Sequence, residues 1–303
     1  MPLIPFSERA AEGRKRLPHL KRLLASCRLC ARECEVRRLR GELGECGLGA
    51  ELFVSSSHLH PGEEPVLSGW RGSGTVFFSG CNLHCLFCQN YPISQLKSGE
   101  IESVEEVAER FLHLQLLHAH NLNLVTPTPQ MARIFEALIL AWEHGLTLPI
   151  VFNCGGYESL EVLKILDGFI DIYLTDLKYG DDAHGLLSDV PNYFTIASVA
   201  VKEMQRQVGD LLVDGHEIAV QGLIVRHLVL PNGQSATENA LRFLREEIGT
   251  GVYISLMSQY YPSYRAKNHP LLHSRLGREE YLKMTRLREE LGMYNGWVQP
   301  PPY

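Results

Sequence analysis

The stretch Gly80-Cys81-Asn82-Leu83-His84-Cys85-Leu86-Phe87-Cys88 spaces three cysteines as C-x3-C-x2-C, directly after the apolar, strand-like run Thr75–Ser79. Iron–sulfur clusters are bound by cysteine thiolates, and a complete [4Fe–4S] set needs four of them. Three thiols on one loop therefore leave one iron open to a ligand that is not protein. An open coordination position is where a metal site does chemistry. The spacing alone also permits a structural zinc site that a distant Cys or His completes.

The residues around these cysteines resemble the radical SAM superfamily. That superfamily carries its C-x3-C-x2-C motif on the loop after the first strand and places an aromatic residue, here Phe87, before the third cysteine. Residues 58–93, from His-Leu-His-Pro-Gly to Asn-Tyr-Pro-Ile, resemble the branch related to pyruvate formate-lyase activating enzymes, and the similarity runs from about Cys27 to about Pro262. The resemblance implies an incomplete (βα)6 barrel. It also implies a [4Fe–4S] cluster on Cys81, Cys85 and Cys88, with S-adenosylmethionine (SAM) on the fourth iron and Phe87 against its adenine.

The composition is typical of a globular protein without membrane spans. Of 303 residues, 45% are hydrophobic and 21% are charged, and the longest apolar runs are far shorter than a span needs. The N-terminus lacks the apolar core of a signal peptide, so we expect a cytoplasmic protein. Eight cysteines, seven of them in two tight sets, therefore favour metal binding over disulfides.

Charge is distributed unevenly along the chain. The net charge is −6, yet residues 1–40 hold eleven Lys or Arg against four Asp or Glu. A basic arm on an acidic body can attract an acidic partner or nucleic acid. We favour a solvated helix over residues 14–24, and nucleic acid is not a leading hypothesis because no aromatic residues alternate with the basic ones.

From Thr75 onward, strand-like and helix-like segments alternate about six times. Strands are predicted at 75–79, 123–126, 148–153, 169–177, 218–230 and 252–258, and helices at 103–119, 129–145, 159–166, 237–248 and 277–291, with further helical segments before Gly209. Alternation of this kind predicts an α/β fold with a parallel sheet and right-handed crossovers. The pattern does not separate an open sheet from a barrel, and the resemblance favours the incomplete (βα)6 radical SAM barrel. We expect an N-terminal extension with a four-Cys metal module over 1–70 and the barrel with its C-terminal helix over 71–303.

The carboxyl ends of the predicted strands carry the remaining candidate residues, because barrels of this class place working groups there. Thr126 and Thr128 follow the second strand, where many activating enzymes have a Gly-Gly-Glu stretch for the SAM amino group. This chain departs from that pattern, so the two threonines are weaker candidates, and Thr128 can equally cap the next helix. Asn153 ends the third strand and resembles the activating-enzyme position that faces SAM. The glycines at 155–156 would let backbone approach a ligand, and Cys154 is predicted to be a small buried residue.

Charged residues end the fourth and fifth strands. Asp176 and Lys178 belong to an Asp-Leu-Lys stretch that resembles the activating enzymes, and alternation puts both on one face. Buried charges need a partner or a charged ligand, and the zwitterionic methionine part of SAM offers both signs; a mutual ion pair is the alternative. Arg226 is predicted to face inward as a carboxylate or ribose contact. The acidic residues Glu63 and Glu64 are predicted to be solvated loop charges.

A second cysteine set precedes the first. Cys27, Cys30, Cys34 and Cys46 are spaced C-x2-C-x3-C-x11-C. Four thiols complete a site without a vacancy, which fits a structural zinc ion or an auxiliary iron–sulfur cluster. A closed site of this kind would stabilise a small module with little apolar content.

Together these features predict a radical SAM oxidoreductase that reductively cleaves SAM to a 5′-deoxyadenosyl radical and abstracts hydrogen from a substrate. The resemblance makes a glycyl radical enzyme one candidate substrate, with another protein side chain or a small metabolite as the alternative. It also implies a one-electron reductant of the flavodoxin or ferredoxin type. An iron–sulfur electron carrier or metal-binding scaffold is the rival from another class, and it predicts cluster content without SAM turnover.

Overall fold

The computed structural model describes residues 3–302, and its helices and strands alternate along most of the chain. The helices are α1 (Phe6–Arg22), α2 (Pro65–Ser68), α3 (Tyr91–Ser94), α4 (Val104–Leu116), α5 (Met131–Glu143), α6 (Leu160–Leu166), α7 (Tyr193–Val208), α8 (Thr237–Phe243) and α9 (Arg278–Glu290). The strands are β1 (Leu52–His60), β2 (Ser73–Phe78), β3 (Glu100–Glu102), β4 (Leu122–Val125), β5 (Ile150–Cys154), β6 (Ile172–Asp176), β7 (Leu212–Val213), β8 (Ala219–Leu228), β9 (Tyr253–Met257) and β10 (Gly296–Val298). Short 3-10 or π turns cover Arg38–Arg40, Thr128–Gln130, Ala183–Ser188, Pro231–Gly233, Leu244–Ile248 and Tyr264–Asn268.

The strands form one sheet in the order β10-β9-β8-β6-β5-β4-β2-β1-β3, and β7 pairs with β8 at its side. The six strands β2, β4, β5, β6, β8 and β9 are parallel to one another. They are the six strands that the sequence predicts, each within a few residues. The prediction of an α/β fold with a mostly parallel sheet is confirmed, and the sheet order runs between two edge strands, so the barrel stays open.

The sheet has two different faces. Helices α4–α8 pack on one face and share the large apolar core with it. A smaller apolar cluster lies on the opposite face, where Leu67 of α2 closes the amino end of the strands; its other members are Val151, Ile172, Leu174, Leu211, Ala219 and Ile224. Because side chains alternate along a strand, residues 153, 176 and 226 lie on this second, interior face, two positions beyond members of the cluster. The capping box predicted before α4 is present, since Ser103 and Glu106 each bond the other's backbone N–H.

The basic N-terminal arm is a helix with one solvated side, as predicted for residues 14–24, since Arg14, Lys15 and Arg22 are exposed; its other side packs on the body of its own chain. Arg9 is buried and donates two hydrogen bonds, of 2.7 and 2.9 Å, to the carboxylate of Asp171 at the start of β6. Lys21 forms a 2.6 Å ion pair with Glu136 of α5, and Gly13 packs against Ile139 of the same helix. Since Arg9 would lose its counterion on detachment, α1 is fixed to the amino end of the barrel.

Two parts of the sheet lie outside the six predicted strands. Strand β1 pairs antiparallel with β2, with Val54 opposite Phe78 and His60 opposite Ser73, and β10 extends the sheet beyond β9. The sequence predicts neither, because repeated Ser and His in β1 interrupt its apolar pattern. The predicted domain boundary near residue 70 therefore falls between two paired strands.

Candidate functional site

Each of the three cysteines in the cluster loop, residues 79–90 between β2 and α3, has a hydrogen-bond neighbour at its sulfur. The backbone N–H of Leu83 donates to Cys81 Sγ at 3.4 Å. The hydroxyl of Ser188 donates to Cys85 Sγ at 3.0 Å, and Ser94 Oγ lies 3.1 Å from Cys88 Sγ. Hydrogen bonds to cluster sulfurs stabilise thiolates and influence the potential of iron–sulfur clusters. The donor set therefore fits a cluster, and Ser188 and Ser94 are contacts that the sequence does not reveal.

Burial keeps the thiols of Cys81 and Cys85 protonated until metal replaces the proton. Burial raises the pKa of Cys81 and of Cys85, and the positive charge of nearby Lys178 acts against this rise at Cys85. Metal binding to such thiols releases protons and gains strength with pH. Within residues 3–302, no three His, Cys, Asp or Glu side chains are arranged to hold one ion. A [4Fe–4S] cluster takes one thiolate at each of its irons, so its cysteines need not surround a single ion.

Four polar side chains meet at the carboxyl ends of β5, β6 and β8. Arg226 Nε lies 3.0 Å from Asp176 Oδ1, and Arg226 Nη2 donates to Asn153 Oδ1 at 2.6 Å. The ammonium of Lys178 contacts the second oxygen of Asp176 at 2.5 Å. The sequence predicts all four as SAM contacts, and the structure brings them together. It also contains the mutual Asp176–Lys178 ion pair that was the alternative, so the SAM role stays a prediction.

Asp176, Lys178 and Arg226 stabilise one another's charged forms. Burial acts to raise the pKa of Asp176, but Lys178 and Arg226 outweigh it and the pKa is lowered. Burial acts to lower the pKa of Lys178 and of Arg226, and Asp176 more than reverses it for both. His227 faces the other side of the sheet, where burial lowers its pKa to about 4. The carbonyl oxygen of Leu177 accepts a hydrogen bond from its Nδ1, and Thr237 Oγ1 lies 2.9 Å from its Nε2. The prediction that Arg226, not His227, faces inward is confirmed.

The two glycines after β5 serve close packing of the chain itself. Gly156 has φ +83°, and a Cβ there would lie 2.3 Å from the backbone oxygen of Asp176. A Cβ at Gly155 would lie 2.8 Å from Leu83 of the cluster loop and 3.6 Å from Lys178 Cε. The backbone contact and the positive φ account for Gly156, while Gly155 meets only side-chain atoms. Gly155 thus lies between Leu83 of the cluster loop and Lys178 of the charged strand ends.

Tyr193 of α7 connects the segment after β5 to the segment after β6, and the sequence does not predict this role. Its buried hydroxyl donates to the carbonyl oxygen of Gly155 at 2.7 Å and accepts from the Lys178 N–H at 2.9 Å. A tyrosine within a helical pattern gives no signal of this role. Cys154 is buried and donates to Thr175 Oγ1 at 3.4 Å, as the prediction of a small buried residue requires.

Glu63 and Glu64 line the barrel interior, so the prediction of solvated loop charges is wrong. Glu63 reaches Arg226 Nη1 at 3.5 Å. Glu64 is 8% exposed, and its Oε2 has no hydrogen-bond partner among the described residues. Both side-chain polar atoms of Asn123, which is fully buried on β4, also lack a partner in good hydrogen-bond geometry. The amide is nevertheless near enough to the Glu63 carboxyl to act against the rise in pKa that burial causes there. Buried polar atoms are rarely left without partners, so water or a ligand is expected to complete this part of the interior.

The two threonines after β4 lie in different surroundings. Thr126 has φ +57°, and its N–H donates to the Asn153 carbonyl oxygen at 2.9 Å, which places it beside the charged strand ends. Positive φ at a residue with a Cβ costs about 1–3 kcal/mol and concentrates at functional sites. Thr128 instead donates to buried Glu158 at 2.8 Å and caps no helix. The capping alternative is therefore wrong, and the hydroxyl of Thr128 is engaged by Glu158.

Phe87 is 7% exposed and sits among aromatic rings. Its ring centroid lies 6.4 Å from that of Tyr179 and 6.1 Å from that of Tyr260, both edge-on. Tyr179 also contacts Ser188 Oγ at 2.6 Å, which extends the hydrogen-bond chain from Cys85. An adenine contact for Phe87 stays a prediction.

The second cysteine set forms a tight turn beneath the cluster loop. A Cβ at Gly44 would lie 3.4 Å from both Cys34 Sγ and Cys46 Sγ, so these two sulfurs flank the same glycine. Cys27 and Cys30 are buried, and burial raises the pKa of Cys30 to about 12. All four thiols are free of disulfides. They stay candidate ligands for zinc or an auxiliary cluster.

This turn touches the cluster loop directly. Arg32 Nε donates to the backbone oxygen of Asn82 at 2.5 Å, and Lys97 donates to the Gly47 carbonyl oxygen at 3.1 Å. A Cβ at Gly80 would lie 3.1 Å from the Cys46 carbonyl oxygen. The two cysteine sets are therefore neighbours in space.

Known proteins share both the sequence and the fold. Residues 75–194 match the family model of the Radical SAM superfamily. The chain is 34% identical over 284 residues to the uncharacterized protein MJ0674 of Methanocaldococcus jannaschii, covering 90% of this chain and 77% of that one. The chain belongs to the radical SAM superfamily. A second uncharacterized protein of that organism, MJ0808, is 24% identical over 80% of this chain and 73% of its own.

A solved radical SAM structure supports the fold. It is described as native anSMEcpe with bound AdoMet and Cp18Cys peptide, and it matches with a TM-score of 0.50 at 15% identity. The match covers 70% of this chain and 56% of that one, so the present chain spans little more than half of its length.

Membership defines the general chemistry. Radical SAM proteins are enzymes that use a [4Fe–4S] cluster and SAM, and they require an external one-electron reductant. No helix in the described part of the chain is long and apolar enough to cross a bilayer.

Proposed function

We propose that this radical SAM enzyme binds its [4Fe–4S] cluster through Cys81, Cys85 and Cys88 and takes a hydrogen atom from a substrate in the barrel interior. The observation that carries the proposal is the contact between the cluster loop and the charged strand ends. Lys178 lies beside Cys85, and Asp176 joins Lys178 to Arg226 at 2.5 and 3.0 Å. A cluster with an open iron would therefore face groups that can hold a zwitterion.

In this proposal the charged side chains bind the parts of SAM that carry the opposite charge. Asp176 would accept the SAM ammonium, while Lys178 and Arg226 would receive its carboxylate, and Phe87 would pack against the adenine. When bound, the cluster supplies the electron that splits SAM into methionine and a 5′-deoxyadenosyl radical. Ser188 donates to Cys85 Sγ and holds that ligand in place. The buried aromatic rings around Phe87 exclude water from the reacting centre.

The test is anaerobic SAM cleavage. The protein is reconstituted with iron and sulfide, mixed with dithionite and SAM, and assayed for 5′-deoxyadenosine by chromatography. We expect product from wild type and from Cys154→Ala, and none from Cys85→Ala. Cleavage by Cys85→Ala would refute the ligand assignment. A loaded cluster without product would favour the electron-carrier alternative.

We infer that the substrate brings a polar group to the barrel interior. Glu64 and Asn123 offer buried acceptor and donor atoms without partners among the described residues, and such atoms are costly unless a ligand or water satisfies them. A glycine backbone of a glycyl radical enzyme is one candidate, and a small metabolite or another protein side chain is the other. Transfer of deuterium from a labelled candidate into 5′-deoxyadenosine would identify the substrate. If 5′-deoxyadenosine contained no deuterium with any labelled glycyl radical enzyme tested, the glycyl radical candidate would be contradicted.

We further propose that Cys27, Cys30, Cys34 and Cys46 bind one metal centre, zinc or an auxiliary cluster. The thiols lie close enough to influence one another electrostatically, and they adjoin the cluster loop, which supports this. Binding would have to draw them closer together, because no three of them among residues 3–302 surround a single ion position. Metal analysis and optical spectra of Cys30→Ala against wild type give the answer. Loss of zinc or of surplus iron and sulfide is the expected result, and an unchanged metal content would contradict it.

A further inference from the structure

One segment beside the cluster loop carries only positive charge. The basic loop, residues 259–277 between β9 and α9, contains Arg265, Lys267 and Arg275 and no Asp or Glu. The whole chain, by contrast, has a net charge of −6. An isolated basic surface on an acidic protein attracts acidic partners and repels basic ones.

The basic loop is attached to the residues around Cys88. The N–H of Ala266 donates to the Leu86 carbonyl oxygen at 2.9 Å. Gln89 Nε2 donates to the carbonyl oxygen of Gln259 at 3.2 Å. The rings of Tyr91 and Tyr264 stack with centroids 5.0 Å apart. These contacts are on the Leu86–Tyr91 side of the cluster loop, whereas the charged strand ends contact its Leu83–Cys85 side.

Two cations of the basic loop face solvent, while the apolar side chains of Tyr260, Leu272 and Leu276 anchor the loop in the core. Ala266 is buried, and its neighbours Arg265 and Lys267 are exposed on either side. Neither cation has a carboxylate within 4.0 Å among residues 3–302. The Arg265 guanidinium lies 5.2 Å from the Tyr264 ring centroid. Tyr264 has φ +48°, a strained conformation that packing against the cluster loop must stabilise.

Exposed apolar groups complete the surface. Tyr261 is 47% exposed and Leu271 is 44% exposed, on the same loop as the two cations. Tyrosine and arginine are enriched where proteins bind proteins, around a centre with some apolar area. Charge and apolar area together indicate a protein partner rather than solvent alone.

We propose that the basic loop is the docking surface for an acidic one-electron donor protein of the flavodoxin class. The proposal rests on the proposed function, because a donor is needed only if the cluster is present. A donor must come close to the cluster, and this loop covers the side of the cluster loop that the charged strand ends leave free. Arg265 and Lys267 then steer the acidic surface of the donor, which raises the association rate more than it changes the bound state.

The experiment compares two reductants on the reconstituted enzyme. SAM cleavage is measured with reduced flavodoxin and, separately, with saturating dithionite, for wild type, R265E, K267E and the double variant. The control is Arg71→Glu, an exposed cation at the opposite end of β2. We expect the double variant to lose about tenfold in kcat/KM for flavodoxin through KM, the scale on which electrostatic steering acts. SAM cleavage driven by dithionite, and flavodoxin-driven cleavage by the control variant, should stay within about twofold of wild type. Added salt should slow flavodoxin-driven cleavage more for wild type than for the double variant, because salt screens the charges that the variant lacks.

Three results would overturn the proposal. One is an unchanged KM for flavodoxin in the double variant, and another is a flavodoxin that cannot drive wild-type cleavage while dithionite does. The third is a loss of oligonucleotide binding in the double variant with no change for flavodoxin, which would reassign the surface to nucleic acid. Failure with dithionite as well would instead refute the proposed function itself, and the docking proposal with it.

Discussion

Replacing Asp176 by asparagine tests whether the charged strand ends are held together by that one carboxylate. The change keeps the size of the side chain and removes its charge. Lys178 and Arg226, whose side chains are 20% and 19% exposed, then lose the carboxylate at 2.5 and 3.0 Å. Glu63, at 3.5 Å from Arg226, and Glu64 are acidic side chains that remain nearby among the described residues.

The structure sets the size of the expected effect. Removing one partner of a buried ion pair costs about 3–5 kcal/mol. Each of the three side chains keeps about a fifth of its surface in water, so solvent screening reduces the cost to roughly 2–3 kcal/mol. At about 2–4 °C per kcal/mol, the unfolding midpoint Tm of Asp176→Asn should fall by about 5–10 °C.

The assay is thermal unfolding by circular dichroism at pH 7, with Asp176→Asn/Lys178→Met as the matched control. The second substitution removes one of the two uncompensated cations, so it should recover part of the lost stability, and the cycle measures the coupling between the two sites. Because the pKa of Asp176 is lowered in the folded protein, the difference from wild type should shrink as pH falls through that pKa. A wild-type Tm for Asp176→Asn at pH 7 would refute the reasoning.

Three further predictions concern other contacts. Gly156→Ala should cost more than 2 kcal/mol because its Cβ would meet a backbone oxygen at 2.3 Å, whereas Gly41→Ala, at φ +82° with no described atom within 4 Å, should cost about 1 kcal/mol; equal Tm values would contradict this. Ser188→Ala removes a donor to the sulfur of Cys85, so redox titration should give a more negative cluster potential. Burial lowers the pKa of His227 from 6.5 to about 4, so the unfolded chain binds a proton at this residue before the folded protein does. The free energy of unfolding should therefore fall by about 3 kcal/mol as the pH drops from 6.5 to 4. His227→Gln should flatten this part of the stability profile, and an unchanged profile would contradict the assignment.

Much of the fold could be predicted from the sequence because its signals are local. Each of the six parallel strands is a short apolar run bounded by turns, and Ser103 with Glu106 marks a helix start by a pattern of four residues. The strand ends that carry Asn153, Asp176 and Arg226 could also be found, since the carboxyl ends of parallel strands meet at one edge.

The parts that could not be predicted depend on contacts between distant residues. The burial of Glu63 and Glu64 arises because the segment after β1 enters the barrel interior, and a charged pair beside glycine and proline usually signals an exposed loop. Tyr193 and Ser188 act through one hydroxyl each, across 38 and 103 residues of sequence. The pairing of Arg9 with Asp171 likewise spans 162 residues, so no local pattern reveals it.

The pairing of β1 with β2 limits how the enzyme can be divided into smaller working pieces. A recombinant fragment restricted to residues 75–194, or one starting at residue 71, lacks the strand that covers β2 along Val54–His60. The backbone groups of β2 would then form an open edge next to buried Val76 and Phe78. Such edges pair with other chains and aggregate. Successful excision of a soluble barrel therefore requires the chain from Leu52 onward.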